Sequence, residues 1–276
     1  MCTSRRRNLV QTRTCARTFS VQFAKYQACE NDFIVVVDTA MSPEEARALC
    51  DRRTGIGADG VLALERGETW RMRIYNADGS EPEMCGNGFR CATKHLLDHR
   101  LTHEPFRLQT EAGTLTASVA RSGGEHKVAH VTVDMGPLRK DAEGRTHLLQ
   151  TLTVNARNFT GTYVSMGNPH FVIPSEHPRA DAEAHGRALA THAFFAKGCN
   201  IEFVRFHGNR AECVVYERGV GITQACGTGA CAVAAVGQLH EHGTRFVDLP
   251  GGTLDIALSH TIHMTGPVAW VFDGSV

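Results

Sequence analysis

At 276 residues, with 42% hydrophobic and 21% charged side chains, the chain has the make-up of a globular protein with room for two cores of roughly 120 residues each. Its 29 basic residues match 29 acidic ones, which leaves no field for nucleic acid or a membrane surface, and no apolar run approaches the ~18 residues of a bilayer span. The ten cysteines include no Cys-x-x-Cys pair and the fifteen histidines are dispersed, so no metal site is expected.

Residues 1–20 carry Arg5, Arg6, Arg7, Arg13 and Arg17, and no acid precedes Glu30. Such a segment reads equally as an organellar transit peptide or as a disordered basic extension. Folding should begin near Val21, with strands at Val21 to Tyr26 and Phe33 to Val37 on either side of a tight Glu30-Asn31-Asp32 segment. Ser42-Pro43-Glu44-Glu45 has the serine, proline and glutamate of a capped helix start, and Gly55 is the expected stop. Gly55 to Gly60 matches Gly-x-Gly-x-x-Gly, but a charged helix end leads into it and an apolar strand follows, the reverse of what a dinucleotide site needs. Arg71 to Tyr75 alternates as a strand, and Asp78-Gly79 signals a hairpin. Strands are expected at Phe106 to Thr110, Leu115 to Val119 and Val128 to Met135. The second half repeats the order: strands Thr160 to Val164 and Phe171 to Ile173, a helix over Asp181 to Ala193, then strands Ile201 to Phe206 and Glu212 to Tyr216.

The repetition is detailed. Met84-Cys85-Gly86-Asn87-Gly88 and Ala225-Cys226-Gly227-Thr228-Gly229 each place a cysteine at the head of a glycine-rich turn that opens a run of small and apolar residues. Tyr75 and Tyr216 precede those cysteines at the same distance, both pairs being 141 apart, and Asp59 matches Asn200 at the same offset. Arg47-Ala48-Leu49 matches Arg187-Ala188-Leu189 with an offset of 140, and Asn31 matches Asn168 with 137. A period this long predicts two similar lobes facing each other, each a sheet wrapped about one buried helix. A cysteine in the first turn of a helix meets the positive end of the helix dipole and unpaired backbone N–H groups, so a thiolate is favoured and a carboxylate can dock beside it. Two such thiols are then expected to confront one ligand from opposite sides.

Five motifs in order carry a resemblance: Tyr75-Asn76-Ala77-Asp78-Gly79-Ser80, Cys85-Gly86-Asn87-Gly88, Met166-Gly167-Asn168-Pro169-His170, Tyr216-Glu217-Arg218-Gly219 and Ala225-Cys226-Gly227-Thr228-Gly229-Ala230-Cys231. Together they closely resemble diaminopimelate epimerase, over about Phe23 to Gly274. The resemblance implies an α+β fold of two pseudo-symmetric lobes, each a mostly antiparallel β-sheet or barrel around a central helix. Residues 21–135 would form the first lobe and 136–266 the second, with 267–276 a final strand returning to the first.

It implies an isomerase that interconverts LL- and meso-2,6-diaminopimelate without pyridoxal or other cofactor, for lysine biosynthesis, in a cytoplasmic homodimer. Cys85 and Cys226 would be the acid–base pair, with His170 and Glu217 orienting the thiols. Gly86, Asn87, Gly227 and Thr228 would present backbone N–H groups to the α-carboxylate, and Arg218 would grip the distal carboxylate. Asn31, Asn76, Asn168 and Asn200 would bind the remaining ammonium and carboxylate groups. Two positions depart from the family pattern: Glu30 stands where glycine is usual before Asn31, and Ile222 where glutamate is usual. Both are expected to act on affinity and substrate choice rather than on reaction type.

Other functions stay open at this point. A proline or hydroxyproline epimerase shares the paired cysteines, though its first loop typically has histidine at the place of Asn87. A thiol redox protein would use the same two sulfurs, and a binding lobe would grip an amino acid without turning it over. Cys50, Cys91, Cys213 and Cys231 read as core residues.

Overall fold

The computed structural model describes residues 21–103, 106–121, 128–140, 144, 146–240 and 242–276, so the basic segment 1–20 lies outside the described residues. The chain begins with a hairpin of β1 (Gln22–Ala28) and β2 (Asn31–Val37). Cys29 and Glu30, at φ 53° and 60°, make its two-residue turn, a left-handed pair whose twist matches the flanking strands. Helix α1 (Pro43–Cys50) starts as expected: the Ser42 hydroxyl accepts from the Glu45 N–H at 3.2 Å, and the Glu45 carboxylate accepts from the Ser42 N–H at 2.8 Å. It stops at Cys50 rather than running to Gly55, because the Asp51 carboxylate captures the N–H groups of Arg53 and Thr54 at 2.8 and 2.6 Å and turns the chain out of the helix.

Strands β3 (Gly60–Glu65) and β4 (Trp70–Asn76) pair antiparallel. The Asp78-Gly79 turn forms, with the Gly79 N–H donating to Asn76 O at 2.9 Å, but it joins no hairpin. It delivers the chain to α2 (Gly86–Asp98), and β4 pairs instead with β5 (Phe106–Thr110) in parallel. Strands β6 (Gly113–Arg121) and β7 (Val128–Asp134) complete the first half.

The second half opens with β8 (His147–Val154), a strand the alternation did not announce, then β9 (Arg157–Ser165) and β10 (Pro169–Pro174). Helix α3 (Pro178–Ala190) starts three residues before the expected Asp181, with Pro178 in its first position, and Thr191 ends it before Ala193. Then come β11 (Asn200–His207), β12 (Arg210–Glu217), the short β13 (Gly221–Ile222), α4 (Gly227–Leu239), and β14 (Phe246–Leu249), β15 (Gly252–Leu258), β16 (Ile262–Pro267) and β17 (Ala269–Ser275).

Pairing resolves these strands into two copies of one order. The first lobe runs β17, β1, β2, β3, β4, β5, β6, β7, and the second β8, β9, β10, β11, β12, β14, β15, β16, with the same parallel and antiparallel steps at each place. An antiparallel β7–β16 pairing joins the lobes, and the last strand of the chain sits beside the first. The fold is therefore α+β with pseudo-symmetric halves. Pairing also corrects one sequence match: Tyr75 opposes Val61 and Tyr216 opposes Ile201, so Asn200 stands at the place of Gly60, one residue on from Asp59. The connection between β3 and β4 differs in length from that between β11 and β12, which shifts the offset.

Each lobe wraps one helix. Phe89, Cys91, Ala92 and Leu96 of α2 and Ala230, Cys231, Val233 and Val236 of α4 are buried in a common core with the strands around them. Full burial of a side chain such as Phe89 or Leu96 contributes roughly 1.5–3 kcal/mol. The small residues of α4 let its sheet close tightly. On the outer faces α1 covers the buried Tyr75, while α3 rides on Tyr216, where a Cβ at Gly186 would come within 2.5 Å of that ring. Among the described residues no helix is long and apolar enough to cross a membrane.

Candidate active site

Both cysteines cap the helices they precede. Cys85 and Cys226 are extended (φ −141° and −121°), and each sulfur accepts from the N–H three residues on, Gly88 and Gly229, at 3.4 Å. The helices start against each other. A Cβ at Gly227 would lie 3.7 Å from the Cα of Gly86, and side chains at either glycine would run into Met264 of β16, at 2.8 Å from Gly86 and 3.0 Å from Gly227. Asn87 crosses the boundary by donating to Ala225 O at 3.2 Å. The two helix N-termini, with their unpaired N–H groups and positive ends, thus converge on one cleft of about 1820 Å³ lined by both cysteines.

The asparagines hold this mouth in matching ways. Asn87 donates to Asn31 Oδ1 at 3.1 Å in the first lobe, and Asn168 donates to Thr228 Oγ1 at 3.3 Å in the second. Asn31 donates in turn to Asp59 at 2.8 Å, and its Oδ1 lies 3.9 Å from Cys85 Sγ. Asn76, tied to Ser80 at 2.9 Å, and Asn200, which accepts from the Arg218 N–H at 2.9 Å, also line the cleft. Arg218 reaches along its wall to Lys197 O at 3.1 Å. Glu217 lines the cleft with Cys226 and accepts from Thr223 Oγ1 at 2.6 Å, while Cys226 Sγ lies 3.5 Å from Thr228 Oγ1.

His170 does not line the cleft. It is fully buried behind the cleft wall, with Nδ1 2.6 Å from Glu202 and Nε2 3.0 Å from Asn168 Oδ1, so both ring nitrogens are engaged away from the sulfurs. Glu30 is exposed and does not line the cleft, whereas Ile222 does.

Burial works against a ready thiolate. Loss of hydration pushes the Cys85 thiol up, with Glu217 adding to it, while the N–H groups of Gly88 and Asn87 and the guanidinium of Arg90 pull the other way. Cys226 is pushed well above the ordinary thiol range, first by burial, then by the carboxylates of Glu217 and Glu202. Glu217 is raised as well, chiefly by burial. The N–H groups at each helix start act against this desolvation.

Sequence reasoning missed Glu202, Thr223, Arg90 and Met264. Glu202 interrupts the apolar run Ile201-Glu202-Phe203-Val204, and Arg90 lies between Phe89 and Cys91 in a buried helix. A lone charge inside an apolar stretch was the available signal in both cases.

Residues 23–140 and 162–271 match the family described as diaminopimelate epimerase. The chain belongs to that family. Diaminopimelate epimerases of Cyanothece sp. and Thermosynechococcus vestitus are 42% and 41% identical to it, over 92% and 93% of this chain and 99% of each relative. Among solved structures, a hydroxyproline epimerase from Agrobacterium vitis superposes with a TM-score of 0.62 at 14% identity, covering 93% of this chain and 91% of that one. A phenazine biosynthesis protein of the PhzF family from Bacillus anthracis does so with 0.64 at 12%, covering 93% and 99%. These distant likenesses establish the fold alone; the diaminopimelate epimerase family match carries the isomerase class.

Proposed function

We infer that this family member epimerises 2,6-diaminopimelate between its LL and meso forms by proton transfer at Cα between Cys85 and Cys226, without pyridoxal, in lysine biosynthesis. The observation that carries the reading is the meeting of two cysteine-capped helix N-termini at one cleft. A Cα–H is a far weaker acid than any side-chain base, so charge developing on the carbon must be stabilised as it forms. Substrate carboxylate seated between the N–H groups of Gly86, Asn87, Gly227 and Thr228 takes that charge as an enediolate-like form. One sulfur, as thiolate, accepts the proton, and the other, as thiol, donates one to the opposite face; the roles exchange in reverse. Expulsion of water on binding strengthens each of these interactions.

Glu217 orients the Cys226 thiol, and His170 acts from behind through Asn168. Arg218 offers its planar fork to the distal carboxylate, with Asn31, Asn76, Asn168 and Asn200 for the other polar groups. A site that pairs a second charged centre rejects ordinary amino acids, because its own polar groups are then left unmatched. That need for a distal partner favours diaminopimelate over proline or hydroxyproline. On the same reading the enzyme works in the cytoplasm as a homodimer, or in an organelle where residues 1–20 act as a transit segment.

Incubation with LL-diaminopimelate in heavy water tests the reading. Deuterium should enter one α-position with formation of the meso isomer, and Cys85→Ala and Cys226→Ala should each abolish turnover. Undiminished turnover in either variant sinks the two-sulfur mechanism, and turnover of proline instead sinks the substrate assignment.

A further inference from the structure

The lobes match in backbone but not in charge. Leu62 opposes Ile74 as Glu202 opposes Val215, and Phe33 opposes Gly60 as His170 opposes Asn200, so the second lobe has a carboxylate and an imidazole where the first has two hydrocarbons. The substitution lies directly under the catalytic turns. A Cβ at Gly88 would meet Leu62 at 3.0 Å, and one at Gly229 would meet Glu202 Oε1 at 2.9 Å and Cys226 Sγ at 3.3 Å.

The reverse difference occurs one turn further along the helices. Arg90 follows Cys85 by five residues, and at the same distance after Cys226 stands Cys231. Arg90 is fully buried. One of its terminal nitrogens donates to Asn87 Oδ1 at 2.8 Å and approaches Cys29 Sγ at 3.6 Å, the other approaches Met264 Sδ at 3.7 Å, and Nε has no partner. No ion pair joins it to a carboxylate among the described residues, and the titratable groups around it are Cys29, Cys85, Cys91 and Cys231. A guanidinium keeps its charge even when buried, so this cation is compensated only when a neighbouring thiol, or an anion docked at the helix starts, becomes negative.

We propose that Arg90 is a positioning residue that fixes the order in which the cysteines ionise, so that Cys85 loses its proton first and Cys226 holds the one to be returned. Each sulfur accepts from one helix-start N–H and Glu217 raises both thiols, which leaves Arg90, bonded to Asn87 in the first lobe, and Glu202, under the Cys226 turn in the second, as the difference. The inference rests on the proposed two-sulfur reaction. In the first turnover the Cys85 thiolate takes the Cα proton as a new S–H bond, and the C–H electron pair passes into the carboxylate. The S–H bond of Cys226 then breaks to give its proton to the opposite face. The enzyme is left with Cys85 as thiol and Cys226 as thiolate, and a solvent-mediated proton shift restores the starting state. Arg90 touches no substrate; it acts through Asn87 and through its charge.

Alkylation of the substrate-free, full-length protein by iodoacetamide from pH 6 to 11, read at each cysteine by mass spectrometry, tests this through the pH midpoint, which does not depend on how accessible each sulfur is. The midpoint of Cys85 should lie at least one pH unit below that of Cys226, a tenfold difference in thiolate share at a given pH. In Arg90→Met the Cys85 midpoint should rise by a similar amount while that of Cys226 moves less, and Arg90→Lys should keep it near wild type. Cys226 ionising first in the wild type overturns the proposal, as does a Cys29 midpoint below that of Cys85, or an unchanged Cys85 midpoint in folded Arg90→Met. The wild-type order decides even where Arg90→Met does not fold. Labelling needs no diaminopimelate, so a failed exchange experiment and a failed ionisation order are separate outcomes.

Discussion

Glu202 Oε1 lies 2.6 Å from His170 Nδ1, and neither side chain has any exposed surface. The second carboxylate oxygen has no partner, so the pair is kept in place at the expense of one unsatisfied acceptor. Breaking such a pair from one side leaves an uncompensated polar group in the core, whereas removing both sides leaves a hydrocarbon contact.

The first lobe supplies the replacement residues, Leu62 and Phe33. Glu202→Leu alone should destabilise the protein by about 3 kcal/mol in urea denaturation, because His170 Nδ1 is stranded. Adding His170→Phe should recover all but about 1–2 kcal/mol, the remainder reflecting Asn168, which loses its contact with His170 Nε2. Equal, additive losses in the two single variants and the double variant would mean that the residues do not act as a pair.

Glu30 tests the turn in isolation. It holds φ 60° in a two-residue hairpin where the matching place in the second lobe, next to Asn168, is Gly167 at φ 108°. The left-handed region disfavours a side chain by roughly 1–2 kcal/mol, less what glycine loses in the unfolded chain. Glu30→Gly should therefore raise stability by about 0.5–1 kcal/mol, with unchanged kcat and KM because the side chain points away from the cleft lining. A large change in KM would place that carboxylate in substrate recognition after all.

These two positions also mark what the sequence carried and what it did not. The duplication, the paired cysteine turns and the capped start of α1 were legible because each depends on local residue chemistry: glycine at the close approach, serine and glutamate at a cap. Glu202 and Arg90 showed only as lone charges in apolar stretches, because their partners, His170 and Asn87 with Cys29 and Met264, are set by strand register and by packing between distant segments. Strand β8 was missed for a related reason: at the end of the strand order it buries only Leu152 and Val154, so its apolar alternation is faint. The state of the thiols was not legible either, because burial raises them while the helix-start N–H groups lower them, and local spacing does not show how deeply they lie.

Acid should loosen the first lobe through His95. The ring packs edge-on to Tyr26, with centroids 5.6 Å apart, and lies 4.3 Å from the ring of His99 one turn along α2. Burial, with His99 beside it, pulls His95 down from 6.5 to about 4. The neutral ring is therefore favoured in the folded state, and its contribution is complete above pH 6.5 and lost as pH falls toward 4. A gap of this size amounts to about 3 kcal/mol. Urea midpoints at pH 7.5 and pH 4.5 should differ less in His95→Phe than in wild type by about that amount. Identical pH dependence in the two proteins would remove His95 as the titrating group.

The proposed homodimer should form along β17. Among the described residues strand β17 is bonded on one side only, to β1, and it exposes Trp270, Val271 and Phe272 at 50%, 45% and 42%. Successive residues of a strand face opposite ways, so both faces of this edge carry apolar side chains with a row of unpaired backbone groups between them. Exposed edges of that kind invite pairing with another chain, and a second copy meets its own edge about a two-fold axis. Light scattering should give twice the 30.1 kDa chain mass, and Trp270→Lys should shift it toward the single-chain value without unfolding the protein. A dimer that survives Trp270→Lys and Val271→Lys together would locate the interface elsewhere.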